Sequence, residues 1–162
     1  MKTIILVRHA RAVKNMLKVD DIDRPLVEDG ILDAYKMSIW LKKDKHIPDL
    51  FITSPAVRAY STSMIFARTL EYPLNKIKIN KKLYECGVDG FLEVIHELKD
   101  EHQTIILFGH NPDISYTAFK LAAGFDEGMP TTGIVGIDFK VNTWEEIGNS
   151  KGEMKFFKHP GK

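Results

Sequence analysis

Cysteine is almost absent from this chain of 162 residues, where Cys86 is the only example. A single thiol excludes an intrachain disulfide and a zinc cluster built from thiolates, and it is compatible with a reducing cytoplasm. The longest apolar runs are far too short to cross a bilayer. The chain also starts directly with an apolar strand pattern, so we expect no signal peptide.

Neither sign of charge is in excess, because 23 basic residues stand against 22 acidic residues. Grooves for nucleic acid and surfaces for anionic membranes both need a basic excess, so neither partner is expected. The length suits one domain that buries a core of its own. The composition therefore predicts a soluble cytoplasmic protein with a single domain over residues 1–162.

Three apolar segments without alternation, at residues 3–7, 49–53 and 104–109, are typical of strands buried on both faces. In the segments between them, apolar residues recur at helical spacing. This alternation of strands and helices predicts an α/β fold: a three-layer α/β/α sandwich around a mostly parallel central sheet. The helices are expected at 29–43, 55–70, 91–98 and 112–123, with further strands at 76–79, 133–141 and around 154–157. Ser54 before Pro55 is predicted to be the N-cap of the second helix. The polar segment 11–26 is predicted to be a loop.

Polar side chains follow each of the three apolar strands. Arg8 and His9 end the first strand, Arg58 lies one turn into the helix after the second, and His110 follows the third. Ligands of open α/β sheets bind outside the carboxyl ends of parallel strands, so these side chains are expected to converge. Two arginines, two histidines and two helix starts favour a phosphate group as the ligand.

Imidazole is the nucleophile that this site offers. The sequence contains no P-loop, and Cys86 lacks an anion-binding loop or an immediately following helix start. Neighbouring guanidinium groups disfavour protonation of His9, which keeps a lone pair for attack on phosphorus. Arg8, Arg58 and a protonated or donating His110 are expected to hold the phosphoryl oxygens.

The three motifs carry a family resemblance. Residues 6–10 (Leu-Val-Arg-His-Ala), residues 54–62 (Ser-Pro-Ala-Val-Arg-Ala-Tyr-Ser-Thr) and residues 109–112 (Gly-His-Asn-Pro) resemble the signatures of the histidine phosphatase superfamily, which includes the phosphoglycerate mutases. The resemblance implies a phosphoglycerate mutase-like fold with one antiparallel strand in its sheet. It also implies that His9 is the nucleophile, that Arg8 and Arg58 bind phosphate, and that His110 is the second catalytic histidine.

The stretch between Arg58 and His110 leaves no room for the helical cap of the mutases and sugar-phosphate phosphatases. With residues 21–26 (Asp-Ile-Asp-Arg-Pro-Leu), the chain resembles the cap-less SixA-type phosphohistidine phosphatases, which act on phosphorylated proteins. One departure is Ala10, where the superfamily usually has glycine, so Ala10 is expected to adopt a backbone conformation that glycine takes freely.

The resemblance leaves two candidates for the general acid. Asp21 is the candidate of the cap-less group, with Arg24 as an additional phosphate or substrate contact, and Glu85 resembles the proton donor of capped members. We favour Asp21, although a solvated acidic loop is the simpler interpretation of that segment.

Three functions of different classes remain open on the sequence. The first is a metal-independent phosphatase without a cofactor, acting on a phosphohistidine protein or a small phosphate ester. The second is a metal hydrolase with His9, His110 and Asp21 as ligands, although two arginines would repel the dication. The third is a phosphate-binding module without catalysis. The sequence leaves the natural substrate and the oligomeric state open.

Overall fold

The computed structural model describes residues 1–15 and 18–161, which form a mixed α/β structure. Its strands are β1 Lys2–Arg8, β2 Leu50–Thr53, β3 Lys78–Ile79, β4 Thr104–Gly109, β5 Ala122–Ala123, β6 Ile134–Phe139 and β7 Gly152–Lys158. Its α-helices are α1 Glu28–Lys43, α2 Val57–Thr69, α3 Gly87–His96 and α4 Asp113–Leu121. Short 3₁₀ turns occupy Asp21–Asp23, Leu74–Lys76, Lys81–Leu83 and Trp144–Glu146.

The described strands form one seven-stranded sheet in the order β3-β2-β4-β1-β6-β7-β5. β1, β2, β3 and β4 pair in parallel, and β5 is parallel to β7. β6 pairs antiparallel with both β1 and β7, so it alone runs against the other described strands. The predicted mostly parallel sheet is confirmed, and the three motif strands β2, β4 and β1 are direct neighbours.

Each face of the sheet has its own hydrophobic core. Ile4 and Leu6 of β1 belong to the core that α3 and α4 cover, whereas Ile5 and Val7 belong to the core under α1 and α2. All four side chains are fully buried, which is why the strand carries no polar alternation. Two helical layers enclose the sheet, so the structure confirms the predicted three-layer α/β/α sandwich.

Two helix starts were predicted wrongly. α3 begins at Gly87 rather than at residue 91, so a helix does follow Cys86 directly. The Cys86 sulfur nevertheless lies 3.8 and 3.4 Å from the backbone carbonyl oxygens of Lys81 and Tyr84, and Cys86 does not line the pocket described below. α2 begins at Val57 rather than at Pro55, and its N-cap residue is Ala56.

The remaining boundaries differ by small amounts. The strand predicted at 76–79 is reduced to β3, because the preceding residues form a 3₁₀ turn. The loop predicted at 11–26 contains a bridge between Ala12 and Leu26 and the turn Asp21–Asp23, while residues 16 and 17 lie outside the described residues. Within the described ranges, no helix combines the length and apolar character needed to cross a bilayer.

Candidate active site

A pocket with a volume of about 650 Å³ opens at the carboxyl ends of β1, β2 and β4. It brings together all seven residues that the sequence singled out: Arg8, His9, Asp21, Arg24, Arg58, Glu85 and His110. The other lining residues are Arg11, Ala12, Tyr84, Asn111, Pro112, Asp113 and Thr131. The parallel strands explain this meeting point, since their carboxyl ends share one edge of the sheet.

His9 is held in one tautomer by its own backbone neighbour. Its Nδ1 lies 2.7 Å from the carbonyl oxygen of Ala10. A carbonyl can only accept, so Nδ1 carries the ring proton and Nε2 keeps its lone pair. Burial is the largest cause that lowers the pKa of His9 from 6.5 to about 4, and the charges of Arg58, Arg8 and Arg24 lower it further. His9 is therefore a neutral imidazole near pH 7.

Ala10 couples the first motif to the second. Its backbone N–H donates to Thr62 Oγ1 at 2.9 Å, and the Thr62 hydroxyl donates to the carbonyl oxygen of Arg58 at 2.7 Å. The expectation of a glycine-like conformation was wrong, because Ala10 is not among the described non-glycine residues with positive φ. Ala10 is fully buried, so its methyl group fills space beside the strand end.

His110 lies next to His9, with 5.1 Å between the ring centroids. Its Nε2 is 2.7 Å from the hydroxyl oxygen of Ser54, which also accepts the backbone N–H of Ala56 at 3.1 Å. Burial, followed by the proximity of His9 and Arg58, lowers the pKa of His110 to about 3. The protonated form that the sequence allowed for His110 is therefore disfavoured near neutral pH.

Several buried donors at the pocket have no protein partner. Arg8 donates through Nη1 to the carbonyl oxygen of Met129 at 3.0 Å, which leaves its Nε free. Within the described residues, the buried side-chain nitrogen and oxygen atoms without a partner are Arg8 Nε, Arg58 Nε, His110 Nδ1 and Thr132 Oγ1. Buried polar groups normally have partners, so this concentration of free nitrogen atoms suits an anionic ligand.

Asp21 is the centre of a charged cluster formed with Arg24, Arg58 and Tyr84. Its Oδ1 accepts from Nε and Nη2 of Arg24 at 3.1 and 2.9 Å. Its Oδ2 accepts from Arg58 Nη2 at 3.0 Å and from the Tyr84 hydroxyl at 2.6 Å.

These contacts hold Asp21 in its charged form. The hydrogen bond from Tyr84 is the largest cause that holds the pKa of Asp21 well below its usual range, and the bonds from the two arginines add to it. The carboxylate has no proton to give, which argues against the general-acid role expected for Asp21.

Glu85 lies on the exposed rim of the same pocket, on a backbone with φ 60°. Tyr84 lines the pocket and Ser54 contacts His110, and no role at the site was predicted for either residue. Ser54 was interpreted as a helix N-cap, and the position of Tyr84 beside Glu85 was the only available signal.

The metal-ligand arrangement expected under the second hypothesis is not assembled. In residues 1–15 and 18–161, no three His, Cys, Asp or Glu side chains are grouped so that they could hold a metal ion. His9 and His110 are adjacent, but the Asp21 carboxylate is already bound by two guanidinium groups and a phenol.

A neutral histidine, a second histidine and several arginines at the strand ends of a three-layer sandwich define an enzyme that handles phosphoryl groups. The chain belongs to the histidine phosphatase superfamily, because the sequence model of branch 1 of this superfamily matches residues 4–112. It is accordingly a phosphatase.

The chain is also similar to other proteins in sequence, and it shares its fold with solved structures. An uncharacterized protein of Mycobacterium tuberculosis (strain ATCC 25618 / H37Rv) is 31% identical over 127 residues, which cover 72% of this chain and 77% of the relative. The crystal structure of SixA from Agrobacterium tumefaciens is similar with a TM-score of 0.82 at 24% identity, covering 98% of both chains. The protein histidine phosphatase SixA complexed with tungstate has a TM-score of 0.81 at 22% identity, covering 98% of this chain and 97% of that one.

Proposed function

We propose that this phosphatase removes phosphoryl groups from histidine residues of other proteins, through a phosphohistidine intermediate on its own His9. The observation that carries the proposal is the hydrogen bond from Nδ1 of the buried, neutral His9 to the carbonyl oxygen of Ala10, which places the one ring proton on Nδ1 and leaves the lone pair on Nε2 in a pocket with four arginines. A neutral nucleophile beside a fixed positive field is what attack on an anionic phosphoryl group requires.

In the first step, His9 Nε2 forms a bond to phosphorus while the bond from phosphorus to the substrate nitrogen breaks. Arg8 and Arg58 stabilise the charge of the phosphoryl oxygens, and their unpartnered Nε atoms are available as donors. In the second step, the oxygen of a water molecule forms a bond to phosphorus while the bond from phosphorus to His9 Nε2 breaks. Inorganic phosphate leaves, the proton lost by the water passes to solvent, and His9 is neutral again. The arginines supply the positive charge in both steps, so neither step calls for a metal ion.

His110 acts as a hydrogen-bond donor in this proposal. Ser54 Oγ accepts the N–H of Ala56, so the serine proton can be donated to His110 Nε2. The ring proton of His110 then resides on Nδ1, which has no protein partner. A neutral His110 can in this way donate to a phosphoryl oxygen without adding a full charge.

The charged state of Asp21 favours a phosphoramidate over an alkyl ester. The departing imidazole of a phosphohistidine takes a proton from solvent on its second ring nitrogen and leaves as a neutral molecule. An alkoxide needs a proton from the enzyme, and general acids contribute about 10²- to 10⁴-fold to such steps. With Asp21 ionised, the other carboxyl groups that line the pocket are Glu85 on its rim and Asp113, whose Oδ2 accepts the backbone N–H of Gly87.

The shape of the site supports a protein substrate. The described chain between Arg58 and His110 forms the rest of α2, then β3, α3 and β4 with two 3₁₀ turns, and adds no helical layer above the pocket. A histidine on the surface of another protein can then reach His9. The solved protein histidine phosphatase SixA has the same fold, which supports this substrate class.

Rates on three substrates test the proposal side by side: a phosphohistidine protein, p-nitrophenyl phosphate and an alkyl phosphate. We expect kcat/KM for the phosphohistidine protein to exceed that for the alkyl phosphate by about 100-fold or more, since the ionised Asp21 has no proton to give to the departing alkoxide. Comparable rates on the alkyl phosphate would instead support a small-molecule phosphomonoesterase. Binding of phosphate without turnover of any substrate would support a binding module.

The pH dependence of the nucleophile gives a second prediction. His9 is expected to titrate near pH 4, with the neutral, reactive form above that value and the protonated, inactive form below it. Formation of the phosphorylated enzyme should therefore not vary with His9 ionisation between about pH 5 and 8 and should fall as the pH drops through about 4. NMR titration of the His9 ring measures the midpoint, and a midpoint near 6.5 would contradict a buried, neutral nucleophile.

A further inference from the structure

Tyr84 lies in the pocket without having been assigned any part in the reaction. It follows the 3₁₀ turn Lys81–Leu83 and precedes α3, so the chain fixes it from both sides. Its ring meets the ring of His110 edge-on, with 5.4 Å between centroids and 80° between planes. Its hydroxyl donates to Asp21 Oδ2 at 2.6 Å, across 63 positions of the sequence.

The carboxylate that Tyr84 contacts controls the orientation of Arg58. Arg58 Nη2 donates to the same Oδ2 at 3.0 Å, and Arg58 Nη1 donates to the backbone carbonyl of Asp21 at 2.6 Å. Both terminal nitrogens of this guanidinium therefore contact one residue. Because the guanidinium is planar, these two contacts also fix the direction of the remaining Nε–H.

The other oxygen of Asp21 holds Arg24 from the opposite side. Arg24 Nε and Nη2 both donate to Oδ1, and Arg24 Nη1 donates to the carbonyl oxygen of Val13 at 2.6 Å. If the carboxylate turned, both guanidinium groups would lose their geometry. The Tyr84 hydroxyl is the one neutral donor on this carboxylate among the described contacts, and it is anchored by a different part of the fold.

We propose that Tyr84 is a positioning residue of the phosphate site, which acts through Asp21 by fixing the carboxylate that orients Arg58 and Arg24. The inference rests on the proposed function of this pocket and extends it to a residue that does not contact the reacting atoms. The single hydroxyl proton of Tyr84 is directed at Asp21, so it is not available for a phosphoryl oxygen. The same bond raises the pKa of Tyr84 to about 12, so the hydroxyl remains a donor throughout the physiological range.

A double-mutant cycle on binding of inorganic phosphate, measured by calorimetry, tests the inference. Tyr84→Phe keeps the ring against His110 and removes only the hydroxyl. We expect it to weaken phosphate binding by about 3- to 10-fold, the scale of a lost hydrogen bond to a charged group. In the Asp21→Ala background, the same substitution should change binding less than about twofold. Tyr116→Phe, on the exposed face of α4, is the matched control and should leave binding unchanged.

Two outcomes would overturn the inference. An equal loss in both backgrounds would mean that the Tyr84 hydroxyl contacts the ligand directly, and no loss in either would mean that it positions nothing. Thermal unfolding of each variant identifies one that does not fold, and Asp21→Leu, which has a similar volume and no acceptor oxygen, then replaces Asp21→Ala.

The cycle also separates this inference from the proposed function. Coupled loss of phosphate binding without any phosphorylated His9 would support the inference and refute the function. Detection of phosphorylated His9, together with unchanged phosphate binding by the Tyr84→Phe variant, would support the function and refute the inference.

Discussion

Replacement of His9 by alanine is expected to lower turnover by roughly 10⁴-fold or more, because it removes the atom that forms the covalent intermediate. His110 cannot take over, since its Nε2 is bound to Ser54. Initial rates on p-nitrophenyl phosphate and on a phosphohistidine protein measure the loss. His46→Ala is the control, because His46 lies outside the pocket and pairs with Asp44.

Trapping of the intermediate complements the rate measurement. Radiolabelled substrate should leave an adduct that is stable in base and labile in acid, as expected for a phosphoramidate, and His9→Ala should abolish it. A variant that retained full activity, or an adduct that persisted without His9, would show that another group is the nucleophile.

Arg58→Ala is expected to lower kcat/KM by roughly 10²- to 10³-fold, the size of effect seen when one preorganised donor to a developing charge is lost. The substitution also removes a partner of Asp21 and thereby leaves more negative charge facing an anionic substrate. Both effects act against phosphate, so inhibition by orthovanadate should weaken together with kcat/KM.

Two further variants test whether the effect of Arg58→Ala is specific to the phosphate site. Arg68→Ala removes a guanidinium from the last turn of the same helix, outside the pocket, and should leave kcat/KM unchanged. Arg58→Lys keeps the charge without the planar fork and should recover only part of the activity. If Arg58→Ala and Arg68→Ala had equal effects, the loss would be a property of the helix and not of the phosphate site.

The strand-end motifs were predictable because their signals are local. An apolar run such as residues 3–7 must lie between two packed layers, and the polar pair Arg8 and His9 directly after it must leave the core. The same logic holds for the strand that precedes His110. Since parallel strands share one carboxyl edge, the meeting of these side chains followed from the fold class.

The chemical state of Asp21 was not predictable in this way. Its contacts with Arg58 and Tyr84 join residues 37 and 63 positions apart. No periodicity in the sequence reports on such contacts, because they depend on how separate loops pack at one sheet edge. For the same reason Tyr84 carried no signal beyond its position next to Glu85, although it is the largest cause of the low pKa of Asp21.

The resemblance implied one antiparallel strand, which no pattern along the chain could locate. The sequence of β6 has the pattern of an ordinary apolar strand, and only its pairing with β1 and β7 determines that it runs antiparallel to them. The start of α2 is a similar case. Ser54 before Pro55 suggested a helix cap, yet the serine hydroxyl bonds to His110, 56 positions away. The N-cap residue of α2 is Ala56, so the local signal placed the helix start two residues too early.

Taken by itself, the sequence determined the layers of the fold, the edge of the sheet that carries the site, and His9, His110, Arg8 and Arg58 as its candidate residues. These depend on short-range patterns of apolar and polar side chains. The tertiary structure alone decided which nitrogen of His9 is free, that Asp21 is ionised, and that Tyr84 joins the site. Protonation and orientation depend on burial and on partners that the chain brings together from distant positions.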